Sequence, residues 1–148
     1  MAMVNVKEIL KRKGKEVWSI VSDAMAYKAL ETMAEKDVGA LMVIDDGKLV
    51  GIFSERDYAR KVVLKGKKPQ QISVSEIMCK DVICVKLDST VEECMTLMTE
   101  KHIRHLPVKH DDQVVGIVTI GDIVKQIIAA QQDTIGHLES YITGGFGG

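Results

Sequence analysis

The chain has 148 residues, 46% hydrophobic and 28% charged, with a formal net charge of −1: enough to bury a real core, as one ordinary domain or two small intertwined ones. A charge so near zero supplies no general attraction to nucleic acid or to an anionic membrane surface, so any basic site must be local. No apolar run approaches the roughly 18 residues of a spanning helix and Met1 to Glu8 lack the layout of a secretory signal, so a cytoplasmic protein with no membrane or nucleic-acid partner is expected.

Residues 5–13 suit a short lead-in helix with Val6, Ile9 and Leu10 on one face, Asn5 as cap and Gly14 as stop. Val17-Trp18-Ser19-Ile20-Val21 reads as a strand, and Ser22-Asp23 as the entry to a helix whose Ala26, Leu30 and Met33 form a buried stripe. The period then shortens. Ala40 to Ile44 and Leu49 to Phe53 are apolar runs flanking Asp45-Asp46-Gly47-Lys48, the pattern of a β-hairpin, and a helix follows Asp57. Residues 65–73 lose the apolar pattern and carry Pro69, which marks a linker. Val82-Ile83-Cys84-Val85 reads as the strand that opens a second unit. Beyond Ile128, the positions of Ile135, Leu138 and Ile142 suggest a further amphipathic helix, and the glycine-rich end from Gly144 is expected to be loose.

The second unit repeats the first. A shift of 65 positions carries Val17 to Val63 onto Val82 to Ile128 without a gap, matching Asp23 to Asp88, Met33 to Met98 and Val50-Gly51-Ile52 to Val115-Gly116-Ile117. Two β-α-β-β-α units result, each too small to bury both its faces alone, so they should pack on each other. Each carries a strand ending in a hydroxyl residue with an aspartate three positions on: Ser54-Glu55-Arg56-Asp57 and Thr119-Ile120-Gly121-Asp122. Each motif resembles a capping box, worth about 0.5–2 kcal/mol. Duplicated, the two also form facing strand-to-helix junctions where backbone N–H groups favour anions.

Cys79, Cys84 and Cys94 are odd in number and form no Cys-x-x-Cys pair, so neither a disulfide framework nor a zinc site is suggested. His102, His105 and His110 lack carboxylates or thiols at ligand spacing, and no metal is expected. No nucleophile with its base, P-loop or Rossmann glycine motif appears, so an enzyme is not expected.

These features resemble a tandem pair of CBS (cystathionine-β-synthase) domains, a Bateman module. The resemblance covers nearly all of residues 5–128. It rests on the duplicated unit, on Gly-hydrophobic-hydrophobic-Ser/Thr-x-x-Asp in both copies and on Arg104-His105-Leu106-Pro107-Val108. The run Ser54 to Lys61 and the tail Gly136 to Ile142 resemble stand-alone members. The implied fold is α/β (α+β), with repeat 1 and its lead-in helix at 5–64, a linker at 65–73, repeat 2 at 74–128 and a C-terminal helix and tail at 129–148, the repeats related by a pseudo-two-fold axis.

The resemblance implies an adenine nucleotide between the repeats, AMP or NAD(H) before ADP or ATP. By motif position, Asp57 and Asp122 would hold ribose hydroxyls, with Ser54 and Thr119 beside them. Val38-Gly39-Ala40 and Ile103-Arg104-His105, with Ser19-Ile20 and Cys84-Val85, would line adenine pockets, and Pro107 and Ile120 belong to the same motifs. Arg56, Arg104 and His105 are the phosphate candidates, guanidinium donors matching phosphate oxygens. The tighter site is expected at Asp122 with Thr119, Arg104 and His105. The implied role is a regulatory module, dimeric through its helices, that acts in trans on a partner protein. The rivals are a structural dimerisation module with vestigial clefts and a small nucleotide-processing enzyme using His105 with Cys84 or Thr119.

Overall fold

The computed structural model describes the backbone of residues 4–14 and 16–147, with the side chains of these up to 132 and that of Ile135. Helix α1 (Val6–Lys13) starts at Asn5, whose side-chain oxygen accepts from the Glu8 N–H, and ends at Gly14 with φ +97°. Repeat 1 then runs β1 (Ser19–Ile20), α2 (Ala26–Lys36), β2 (Ala40–Asp45), β3 (Lys48–Ser54) and α3 (Glu55–Tyr58), which winds on as a π-helix over Ala59–Val63. Repeat 2 follows with α4 (Val74–Ile77), α5 (Val91–Lys101), β4 (His105–His110), β5 (Gln113–Thr119) and α6 (Ile120–Gly147).

Strand β1 lies parallel to β2, and β2 pairs antiparallel with β3, while β4 and β5 form a separate hairpin. Both hairpins turn through two residues of positive φ: Asp46-Gly47 in the first and Asp111-Asp112 in the second. Such turns match the right-handed twist of the strands. Each hairpin also shifts register at the equivalent place, between Val43 and Ile44 and between Val108 and Lys109.

The cores are exchanged. Val6, Ile9 and Leu10 of α1 are buried with Val85, Cys94, Leu106, Val108 and Val118 of repeat 2, whereas Val74 and Ile77 of α4 are buried with Ala26, Leu41, Val43 and Phe53 of repeat 1. Backbone bonds fix the exchange, with Val6 N–H donating to Ser89 O at 2.9 Å and Val74 N–H to Ala24 O at 2.8 Å. The lead-in helix that precedes repeat 1 thus completes the core of repeat 2.

Five expectations are corrected. The strand over 17–21 shrinks to Ser19–Ile20, and that over 82–85 is reduced to one bridge, Val85 with Val108. The difference between them has a cause in the backbone. Met42 N–H donates to Trp18 O at 3.1 Å, but the equivalent position in repeat 2 is Pro107, which has no N–H to give Ile83. Helix α2 starts after Met25 rather than at Ser22-Asp23, because Ser22 is engaged elsewhere: its backbone N–H and its hydroxyl both donate to the Asp45 carboxylate, which lowers that group's pKa. The C-terminal segment is no separate helix, since α6 continues unbroken through Asp133. The glycine-rich end, expected loose, is helical to Gly147.

Close approach explains Gly51 and Gly116. A methyl group on Gly51 would lie 2.6 Å from Met78 Sδ and 2.9 Å from the Cys79 carbonyl oxygen, and one on Gly116 would lie 2.8 Å from Leu10 Cδ2. Leu10 can change rotamer, but the Cys79 carbonyl is held in a two-way backbone bridge with Ile52. Gly51→Ala is therefore expected to cost about 1–3 kcal/mol of overpacking and Gly116→Ala less. Urea unfolding of the two variants tests the order, and equal losses would refute it.

Candidate functional site

The exchange leaves two clefts between the repeats, each made from one end of each. The larger, about 690 Å³, takes Ser54, Glu55, Arg56, Asp57 and Arg60 from repeat 1, and Asp81, Val82, Ile83 and His102 to His105 from repeat 2. The smaller, about 480 Å³, takes Lys13, Trp18 and Lys36 to Ala40 from the N-terminal half, and Ile117 and Thr119 from repeat 2. Gly39, His105 and Thr119 line both. The clefts are equivalent under the 65-residue shift, which carries Trp18 onto Ile83 and Val38-Gly39-Ala40 onto Ile103-Arg104-His105.

Both Ser/Thr-x-x-Asp motifs are helix caps. Ser54 Oγ accepts from the Asp57 N–H and donates to Asp57 Oδ2, each at 3.1 Å. Thr119 Oγ1 accepts from the Asp122 N–H at 3.2 Å, and Asp122 Oδ2 accepts from the Thr119 N–H at 2.9 Å. The first N–H of each helix is also engaged, Glu55 with Gly39 O and Ile120 with Arg104 O. The donors expected to favour anions at these junctions are therefore partly spent on the fold. Positive charge in the larger cleft comes instead from three guanidiniums, Arg56, Arg60 and Arg104. The same cleft holds the carboxylates of Glu55, Asp57 and Asp81, and its apolar lining is Ile52, Val82, Ile83, Ile103 and Ile120.

The two aspartates differ in what they touch. Asp122 Oδ2 lies 2.7 Å from Lys13 Nζ, which also donates to Ile117 O at 3.0 Å, and the carboxylate side chain keeps 12% exposure. Asp57 keeps 25%, and its nearest ammonium, Lys61 Nζ, is 4.0 Å away and donates to Ile77 O.

The expected grouping is thereby redrawn. Arg104 lines the cleft of Asp57 and Ser54, so it does not gather with Asp122; of the residues expected beside Asp122, Thr119 and His105 reach both clefts, while Asp122 is covered by Lys13. Ile103 and Ile120 line the larger cleft, and Val38, Gly39 and Ala40 the smaller. Ser19, Ile20, Cys84, Val85 and Pro107 line neither. Ile20 packs on the first core, Val85 is buried in the second and Pro107 is buried within β4. The cleft positions are Trp18 in the first copy and Val82 and Ile83 in the second, immediately before the pairs expected, where hardly any strand forms. Arg60 was legible as the i+4 partner of Arg56 on one helix face. Trp18, with Lys36 Nζ 4.4 Å from its ring centre, carried no comparable signal.

His105 sits where the clefts meet, its Nε2 3.7 Å from where a methyl on Gly39 would stand. Burial first, then the charges of Lys13 and Arg104, hold its pKa below the ordinary 6.5 against the opposing pull of Asp122. It is thus a neutral hydrogen-bonding group at neutral pH and adds no charge for a phosphate. Burial raises the pKa of the Cys84 thiol, and that of Cys94 to about 11, so neither supplies a thiolate at neutral pH. Among the described residues no three metal-ligating side chains cluster, and no helix is long and apolar enough to cross a membrane.

The family model for the CBS domain matches residues 6–64 and again 74–129. A putative signal-transduction protein with CBS domains from Burkholderia ambifaria MC40-6 is similar in structure with a TM-score of 0.84 and 43% identity, over 86% of this chain and 96% of that one. The CBS domain pair of protein MJ0100, solved in complex with 5′-methylthioadenosine and S-adenosyl-L-methionine, gives 0.78 and 30% over 87% and 99%. Among curated sequences, the CBS domain-containing protein CBSX3, mitochondrial, of Arabidopsis thaliana is 34% identical over 95% of this chain and 73% of its own length.

A histidine whose pKa is lowered on folding takes a proton more readily in the unfolded chain, so the stability it supports is full above about pH 6.5 and lost as pH falls toward the folded value. Thermal midpoints between pH 7 and 5 should accordingly fall more steeply for the natural chain than for His105→Gln. Parallel slopes would show that His105 titrates as it does in the unfolded chain.

Proposed function

Since the chain belongs to the CBS-domain family and carries its unit as a tandem pair, we propose that it is a regulatory module that binds AMP or NAD(H) in the larger cleft and acts on a protein partner in trans. One observation carries this reading: three guanidiniums and a capped, accessible aspartate converge on one apolar-walled cleft between the repeats. An ionised carboxylate only accepts hydrogen bonds and can take both cis hydroxyls of a ribose, the role assigned to Asp57. Arg56, Arg60 and Arg104 take the phosphate, their planar forks matching its oxygens. The isoleucine wall takes the adenine. The adenosine-containing ligands of the MJ0100 pair support an adenosine ligand here. The guanidiniums are matched in number by Glu55, Asp57 and Asp81, which leaves no surplus positive charge for a triphosphate.

Calorimetry with AMP, NADH and ATP tests the proposal. AMP or NADH should bind more tightly than ATP, and Asp57→Asn should weaken binding by about 1.5–3 kcal/mol, the worth of hydrogen bonds to a charged group. The same change should leave most of the apo stability intact, since the helix-dipole part is about 0.3–1 kcal/mol. Loss of apo stability with unchanged affinity would reduce the motif to a cap, and ATP binding tightest would overturn the ligand order.

We further propose a homodimer through the helices that follow the aspartates. Tyr27 on α2, Met95 on α5 and Val124 and Ile128 on α6 are large apolar side chains left more than 40% exposed, as are Val63 and Leu64 beyond α3. Apolar side chains in this number on neighbouring helices favour a second copy over solvent. Light scattering at micromolar concentration should give a dimer that Val124→Glu with Ile128→Glu converts to monomer; a monomeric natural chain would refute it.

A further inference from the structure

We infer that Lys13 decides which cleft takes ligand: its ammonium occupies the carboxylate of Asp122, so the larger cleft alone accepts an adenosine ligand and the smaller is held shut to ribose by the chain's own lysine. The inference rests on the proposed role of the aspartates in holding ribose and extends it to the asymmetry between them.

The geometry is one-sided. Lys13 is the last residue of α1 and reaches across from the N-terminal half to Asp122 at 2.7 Å, with a second bond to Ile117 O. Asp122 Oδ2 also receives the Thr119 N–H, so this oxygen already accepts two donors. With Oδ2 occupied, a ribose that takes both carboxylate oxygens with its cis hydroxyls could bind only by displacing the ammonium, and an ion pair with a largely buried member is costly to break when nothing replaces the lost charge. A ribose brings hydroxyls and no charge.

The equivalent position in repeat 2 is Met78, which lies against Gly51 and places no ammonium at Asp57. Of the equivalent pair, the aspartate faced by a lysine from the opposite lead-in helix is Asp122 alone. Lys13 also adds its charge beside His105 in the smaller cleft, where burial first, then Lys13 and Arg104, lower the pKa of the imidazole.

The test is the number of AMP molecules bound per chain, by calorimetry, in the natural protein and in Lys13→Met, which installs the residue found at the equivalent position. Lys13→Gln serves as a second variant that keeps length and polarity without charge. The natural chain should take up about one AMP and both variants about two, because freeing a second carboxylate adds a second site rather than tightening the first. Adding Asp122→Asn to Lys13→Met should return the count to one. Two AMP per natural chain, or one per chain in both lysine variants, would overturn the inference while leaving the larger cleft as the nucleotide site. Weaker binding in the variants would also overturn it, since Lys13 would then hold the ligand's phosphate. If the natural chain takes up none but the variants take up one, the role of Lys13 stands and that of the larger cleft falls. No uptake by any of them would refute both.

Discussion

The structure depends on the exchange of its lead-in helices. Neither sheet covers its own inner face: the hairpin of repeat 2 is roofed by Leu10 and Ile9 of α1, and the hairpin of repeat 1 by Ile77 of α4 and Met78 just after it. Gly51 and Gly116 sit under these roofs because a larger side chain would hold the helix away from the strand. Burial of each such aliphatic side chain is worth about 1.5–3 kcal/mol, so neither repeat can shed the other's helix and keep its core. Two small units thereby become one cooperative body, and the clefts are the seams of that exchange.

Because the repeats are equivalent in backbone, their differences trace to few positions. Met42 gives its N–H to Trp18, and Pro107 has none to give, so the edge of the second sheet opens at Ile83 and Cys84. Gly39 and Ala40 leave the smaller cleft without side chains where Arg104 and His105 fill the larger one. Lys13 meets an aspartate where Met78 meets a glycine. Duplication supplied two similar clefts, and each of these substitutions makes them chemically different.

Much of this was legible in the residues. The 65-residue repeat, the two hairpins and the helices at 26–36 and 91–101 follow from apolar period and turn residues, which are local properties. The helix exchange was not legible, since the faces of α1 and α4 are apolar whichever repeat they cover. The cleft residues that the resemblance implies at the first strand of each copy are placed otherwise: Ile20 packs on one core and Val85 is buried in the other, while Trp18 and Ile83 line the clefts, where the strands span two residues or none. The partner of Asp122 was beyond sequence reasoning as well. Lys13 lies 109 positions away, and nothing local distinguishes it from other lysines on an exposed helix.

The placement of the larger cleft bears on how occupancy could be felt elsewhere. Its guanidiniums come from both repeats, Arg56 and Arg60 from one and Arg104 from the other, so an anion bound to all three would bridge the repeats through contacts that neither makes alone. A ligand shifts a conformational equilibrium only by its difference in affinity between the states, and a site divided between two bodies is one whose affinity changes when they move. Arg104 immediately precedes β4 and His105 begins it, and Leu106 and Val108 of that strand are buried with Leu10 of α1. Helix α1, which packs on β4 through Leu10, also carries Lys13, the residue that meets Asp122, so one element touches both the strand that begins at the larger cleft and the smaller cleft itself.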